Sequence, residues 1–163
     1  MWLPDRRFLL LMPLAAAACG FSPAYAPGGA AASLMGRVRA ADPTTKDAFD
    51  FVERIEERLG RPEDHRYDLT YRIATERVGV GITADNRITR QNLRGSVEYV
   101  LTRAGSGERI TEGSVRSFTA YSAIGSTVAG LSAEEDAAHR LMRILADEIV
   151  TRLIADLANL DAG

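Results

Sequence analysis

Gln91-Asn-Leu-Arg-Gly-Ser-Val-Glu-Tyr-Val-Leu-Thr-Arg103 is the stretch that settles the fold class. Leu93, Gly95, Val97, Tyr99 and Leu101 alternate with Asn92, Arg94, Ser96, Glu98 and Val100. A period of two is what a strand needs to bury one face and wet the other. Tyr67 to Val78 has the same rhythm: Tyr67, Leu69, Tyr71 and Ile73 alternate with Asp68, Thr70, Arg72 and Ala74. Asp85-Asn86 marks the connection between the two strands. Ala104-Gly-Ser-Gly107 supplies a hairpin turn, and Arg109 to about Ala120 returns as a third strand. Ile110 is out of phase with Val115, Ser117 and Thr119, so a bulge is expected near Gly113.

Helical periodicity flanks this meander. Upstream, Asp42-Pro43-Thr44 opens a helix from about Thr45 to Leu59. Ala48, Phe49, Val52, Ile55 and Leu59 share its apolar face, and Gly60 and Pro62 end it. Before it, Leu34 to Ala40 reads as a short first strand, with Leu34, Gly36, Val38 and Ala40 on one side. Downstream, Ser122 to Gly130 is a loop of small residues. Ser132-Ala-Glu-Glu135 has the form of a capping box, serine at the N-cap and glutamate at N3. The long helix it opens runs to about Ala158. Its buried stripe is Ala138, Leu141, Met142, Leu145, Ile149, Leu153 and Leu157. Arg140, Arg143, Glu148, Arg152 and Asp156 form its wet side. The order is β-α-β-β-β-α, an α+β fold with two helices packed on one face of a four-stranded sheet.

The N-terminus has a different character. Arg6-Arg7 precede an apolar run, Phe8 to Leu14, and then Ala15-Ala-Ala-Ala-Cys19-Gly20. Basic residues, an apolar core and small residues before a cut are the grammar of an export signal. Phe8 to Ala18 is 11 residues, against the ~20 that a spanning helix needs. A cysteine at the cut resembles a bacterial lipoprotein signal, in which the thiol takes a diacylglyceryl group and the new N-terminus receives an acyl chain such as palmitate. Residues 1–18 are therefore expected to be a signal peptide, Cys19 the lipidated residue, 19–33 a Gly/Pro/Ala/Ser-rich tether, and 34–163 the folded domain. The position three before the cysteine is Ala16, where leucine is usual. The alternative reading is an ordinary secretory signal cut near Ala17-Ala18 or after Ala26. Gly20, in place of an aspartate, points to the outer membrane under the usual sorting rule.

Charge and chemistry narrow the function classes. The chain has 20 Lys and Arg against 22 Asp and Glu, a balance that makes no general case for nucleic acid. Cys19 is the only cysteine, so an internal disulfide is excluded. His65 and His139 are 74 residues apart, and neither has a second ligand at metal spacing. Both are expected in solvated or capping roles. Glu53, Glu56 and Glu57 beside Arg54 and Arg58 read as a solvated, salt-bridged helix face. There is no Gly-x-Ser-x-Gly and no phosphate loop. Neither cofactor, metal nor enzymatic activity is expected. One charge feature invites a ligand. Six arginines against Glu76, Asp85 and Glu98 lie between Arg72 and Arg103. Guanidinium groups bind phosphate bidentately. Arg72, Arg87, Arg90 and Arg94 are the candidate contacts for a phosphorylated glycolipid. The alternatives are an ordinary solvated sheet face or a surface for an acidic partner.

The segment Cys19-Gly20-Phe21-Ser22-Pro23-Ala24-Tyr25 resembles the start of the alphaproteobacterial LptE family of lipopolysaccharide-assembly lipoproteins. Ala24 stands where that family often has leucine. Further similarities are Asn92-Leu93 leading a strand that ends Val97-Glu-Tyr-Val-Leu101, Val115 to Tyr121 running toward Ser122, Gly125 and Ser126, and the helix from Ala137 to Leu153. The resemblance covers nearly all of the chain after Cys19. It implies the same two-helix, four-stranded architecture and no catalytic residues. It also implies a lipid-anchored protein on the periplasmic side of the outer membrane. Such a protein plugs and helps assemble an LptD-like outer-membrane β-barrel and assists insertion of lipopolysaccharide into the outer leaflet. On that expectation, the Asp85-Asn86 and Gly105-Ser106-Gly107 turns, at sheet ends, are candidates for deep insertion. The rival expectation is an auxiliary periplasmic lipoprotein of an ABC-type lipid transport system.

Overall fold

A computed structural model describes residues 29–82, 88–123 and 126–161. Cys19, the signal segment, Asp85-Asn86 and Arg87 lie outside the described residues. The elements are α1 (Ala30–Leu34), β1 (Val38–Ala40), α2 (Lys46–Leu59), β2 (Tyr67–Ile82), β3 (Ile88–Arg103), β4 (Arg109–Ser122) and α3 (Thr127–Asp161). The sheet order is β1-β2-β3-β4. β1 runs parallel to β2, and the other neighbours are antiparallel. The α+β order β-α-β-β-β-α is as the periodicities predict, with one additional short helix.

The alternation in β3 translates directly into burial. Leu93, Val97, Tyr99 and Leu101 are in the core, with Leu69 of β2 and Val115 and Thr119 of β4 beside them. From the other side come Phe51, Ile55 and Leu59 of α2 and Leu141, Met142, Leu145, Ile149, Val150 and Leu153 of α3. α3 crosses β3 at Gly95, where a Cβ would lie 2.9 Å from Leu145 Cδ1 and 3.0 Å from Leu141 Cδ2. The hydroxyl of Thr119, a buried residue, donates to the Ala137 carbonyl oxygen at 2.8 Å. That bond removes the cost of burying an unpaired polar group.

Four local expectations are corrected. The strand predicted from Leu34 begins only at Val38. Leu34 instead ends α1, and Gly36 turns the chain with φ +66°, a left-handed conformation that breaks a strand. On α2 the buried aromatic is Phe51, not Phe49, which is 59% exposed. Ala48, Phe51, Ile55 and Leu59 form the tighter three- and four-residue series. The bulge in β4 is at Ile110: Leu101 pairs with Thr111 and Thr102 with Arg109. Gly113 pairs regularly with Tyr99, and a Cβ there would meet the Tyr99 hydroxyl at 2.9 Å. The glycine makes room for a ring. Finally, α3 starts at Thr127. Ser126 accepts from the Ala129 amide through its Oγ at 3.3 Å, whereas Ser132 is inside the helix.

The charged face of α2 is more than a solvated one. Arg54 reaches α3 and grips Asp147 with both arms, Nε to Oδ1 at 3.0 Å and Nη2 to Oδ2 at 2.9 Å. Arg58 Nη1 donates to the same carboxylate at 2.7 Å. Glu57 answers from α2 by accepting from Arg54 and from Arg143 of α3. The hydrogen bonds from Arg54 and Arg143 hold the Glu57 carboxyl below its usual value of 4.5.

Candidate functional site: the open face of the sheet

Both helices lie on one side, so the other side of the sheet is left to solvent. Its residues are the even-numbered ones in β2, β3 and most of β4. Register makes cross-strand rows of them: Arg72–Glu98–Ser114, Ala74–Ser96–Arg116 and Glu76–Arg94–Phe118. The last two rows line a depression of about 410 Å³ formed by Ala74, Glu76, Arg94, Ser96, Arg116 and Phe118. Phe118 is 61% exposed there, beside two guanidinium groups.

The arginines expected to act together are distributed by the register. Arg72 and Arg94 share the open face, as their alternation predicts. Four strand positions separate them, roughly 13 Å at the usual rise. Arg72 belongs to a second depression, with Thr70, Tyr71, Glu98 and Val100. Arg90 is exposed on β3, four residues from Arg94, opposite Ser122. Arg87 lies outside the described residues. The true neighbour of Arg94 is Arg116, which the sequence reading missed. The pair is diagonal across β3 and β4, about 7–8 Å apart by sheet geometry. The alternation of β4 contained the signal. With Val115, Ser117 and Thr119 inward, Arg116 and Phe118 must point out.

Among the described residues, Arg72, Arg90, Arg94 and Arg116 have no acidic partner within 4 Å, whereas Arg54, Arg58 and Arg143 are all paired. Glu76 and Glu98 stand in the same rows and keep the face mixed in sign. Such a surface can take a phosphate or a carboxylate between Arg94 and Arg116, with an apolar group against Phe118. Chemistry of another kind has little to work with. His65 meets Asp68 at 2.9 Å on the exterior, and His139 meets Asp50 at 3.6 Å between the helices. No cluster of three His, Cys, Asp or Glu that could hold a metal occurs among the described residues. No helix among them is long and apolar enough to cross a membrane, the 35-residue α3 included.

Fold and face together define a two-layer α+β domain with one open sheet surface. Comparison gives the class its family. The chain matches the family model LptE, lipopolysaccharide-assembly, over residues 37–153, and it belongs to that family. Membership assigns it a role in lipopolysaccharide assembly. No curated protein sequence matches it. Its fold is similar to that of a lipoprotein candidate from Caulobacter crescentus CB15, 22% identical, with a TM-score of 0.67 over 78% of this chain and 96% of that one. It is also similar to rare lipoprotein B from Shewanella oneidensis, 15% identical, TM-score 0.60, over 77% and 97%. A minor lipoprotein from Acinetobacter baumannii is 16% identical, TM-score 0.58, over 74% and 92%.

Proposed function

We propose that the chain is an outer-membrane lipoprotein, anchored through Cys19 on the periplasmic side. It seats in an LptD-like β-barrel, supports the barrel's assembly, and assists insertion of lipopolysaccharide into the outer leaflet. It acts as a binding and assembly factor, without catalysis. The observation that carries this reading is the family match over residues 37–153. The naked sheet face supports it, because a plug must offer polar groups to the polar interior of a barrel.

The reading also includes one direction of seating. β1 starts beside the Gly105 turn: Tyr67 donates to the Arg37 carbonyl and Ala104 to that of Arg66. The start of β1 and the Gly105 turn therefore belong to one end of the sheet. The end of β2 and the start of β3 belong to the other, the end that in this reading leads into the lumen. Within this reading Arg94, with Arg72, Arg87 and Arg90, are contacts for lipopolysaccharide phosphates.

Depletion in the native host tests the proposal. Misassembled barrel and loss of surface lipopolysaccharide are expected. A defect confined to phospholipid trafficking would instead identify an auxiliary protein of an ABC-type system.

A further inference from the structure

β4 is an edge strand, and its edge is guarded unevenly. The amide of Ala123 donates to the Thr89 carbonyl oxygen at 3.0 Å, in line with the register that pairs Ser122 with Arg90. Odd-numbered residues of β4 therefore exchange hydrogen bonds with β3, and even-numbered ones turn their N–H and C=O groups outward. The Ser114 carbonyl confirms the phase, since it accepts from Arg152 Nη1 of α3 at 2.9 Å. That contact and the bulge at Ile110 blunt the edge at its beginning, as natural sheets commonly do. From Arg116 to Ala120 no described group covers it. The outward amides of Arg116, Phe118 and Ala120 border the depression that holds Arg94 and the exposed Phe118 ring.

An open ladder beside a side-chain pocket is the arrangement by which sheets capture extended peptides. Backbone bonds give affinity, and alternate side chains give specificity. We propose that the β4 edge from Arg116 to Ala120 receives an extended strand of the barrel partner, with a carboxylate of that strand on Arg116 and an apolar side chain against Phe118. The charge decides the chemistry of the occupant. Arg116 is exposed and lacks an acid within 4 Å, and an uncharged or basic strand would leave it so. The inference rests on the barrel-plug reading.

Residue-resolved hydrogen exchange on the full chain tests it, alone and in the complex isolated from outer membranes. In the complex, the amides of Arg116, Phe118 and Ala120 are expected to slow by about tenfold or more. Those of Ser117, Thr119 and Tyr121, already bonded to β3, change little. Ala120→Pro removes only an outward N–H and is expected to lower barrel recovery at unchanged thermal stability, whereas Ala120→Ser does not. A complex in which the three amides exchange as fast as in the isolated chain overturns this inference and leaves the plug reading intact. Failure to recover any barrel overturns both. Protection produced equally by purified lipopolysaccharide alone overturns the strand in favour of a lipid.

Discussion

Gly95 of β3 and Leu145 of α3 approach so closely that a Cβ on the glycine would lie 2.9 Å from Leu145 Cδ1. The helix is seated on the sheet at this contact, and Leu141 closes it from the other side. Gly95→Val is therefore expected to push α3 outward and to destabilise the domain by about 1–3 kcal/mol. The midpoint of urea unfolding reads this directly. An unchanged midpoint would mean that helix and sheet tolerate a wider spacing than the packing implies.

The clamp between α2 and α3 predicts a pH dependence. Arg54 and Arg143 lower the Glu57 carboxyl below 4.5 in the folded state. In the unfolded chain it titrates at the ordinary value, so the unfolded state binds its proton first as pH falls. The stabilisation is thus present above that ordinary value and is lost as pH drops through the folded one. Glu57→Gln should flatten the acid limb of a stability profile below about pH 4.5 and leave its slope near neutrality unchanged. An acid limb identical to that of the parent would rule out this carboxylate as a contributor.

On the open face, register rather than sequence distance sets the prediction for lipid binding. Arg94→Gln is expected to weaken association with immobilised lipopolysaccharide about three- to fivefold, given its exposure. Arg72→Gln, in a separate depression, should act independently of it. Arg116→Gln, by contrast, should lower recovery of the barrel more than it lowers lipopolysaccharide binding. Equal effects of all the arginines would indicate diffuse attraction instead, which added salt would abolish.

These residues also mark what the sequence discloses. The strand alternation and the stripe on α3 are legible because burial of one face imposes a period, and the same periods set the order β-α-β-β-β-α. Positions where two local signals compete are less legible. Ser132 and Ser126 both suit an N-cap, and only packing of the first turns of α3 chooses Ser126. Phe49 and Phe51 are both two-sided candidates until the helix docks and rotates Phe51 inward, where its ring meets Tyr71 at 4.9 Å. The arginine site needs more than strand assignment. Arg116 lies 22 positions beyond Arg94, and only the β3–β4 register makes them neighbours. The clamp on Asp147 was hidden for the same reason, because Arg54 and Arg58 meet it only across a helix pair.

Cys19 carries the anchoring prediction. Cys19→Ser is expected to abolish acylation and to release the chain from the membrane fraction, read by detergent phase partitioning and fractionation. Two or more acyl chains anchor stably, so release should be nearly complete for copies not seated in a barrel. If the serine form still sediments with outer membranes, the barrel rather than the lipid holds the protein in place.

The domain is proposed to seat in a barrel. Native mass spectrometry of the full chain, isolated in detergent from outer membranes of its own host, tests it most directly. The account predicts one acylated copy bound to one large β-barrel protein, together with lipopolysaccharide. Recovery of the acylated chain alone, from membranes in which the barrel is present and intact, would contradict it.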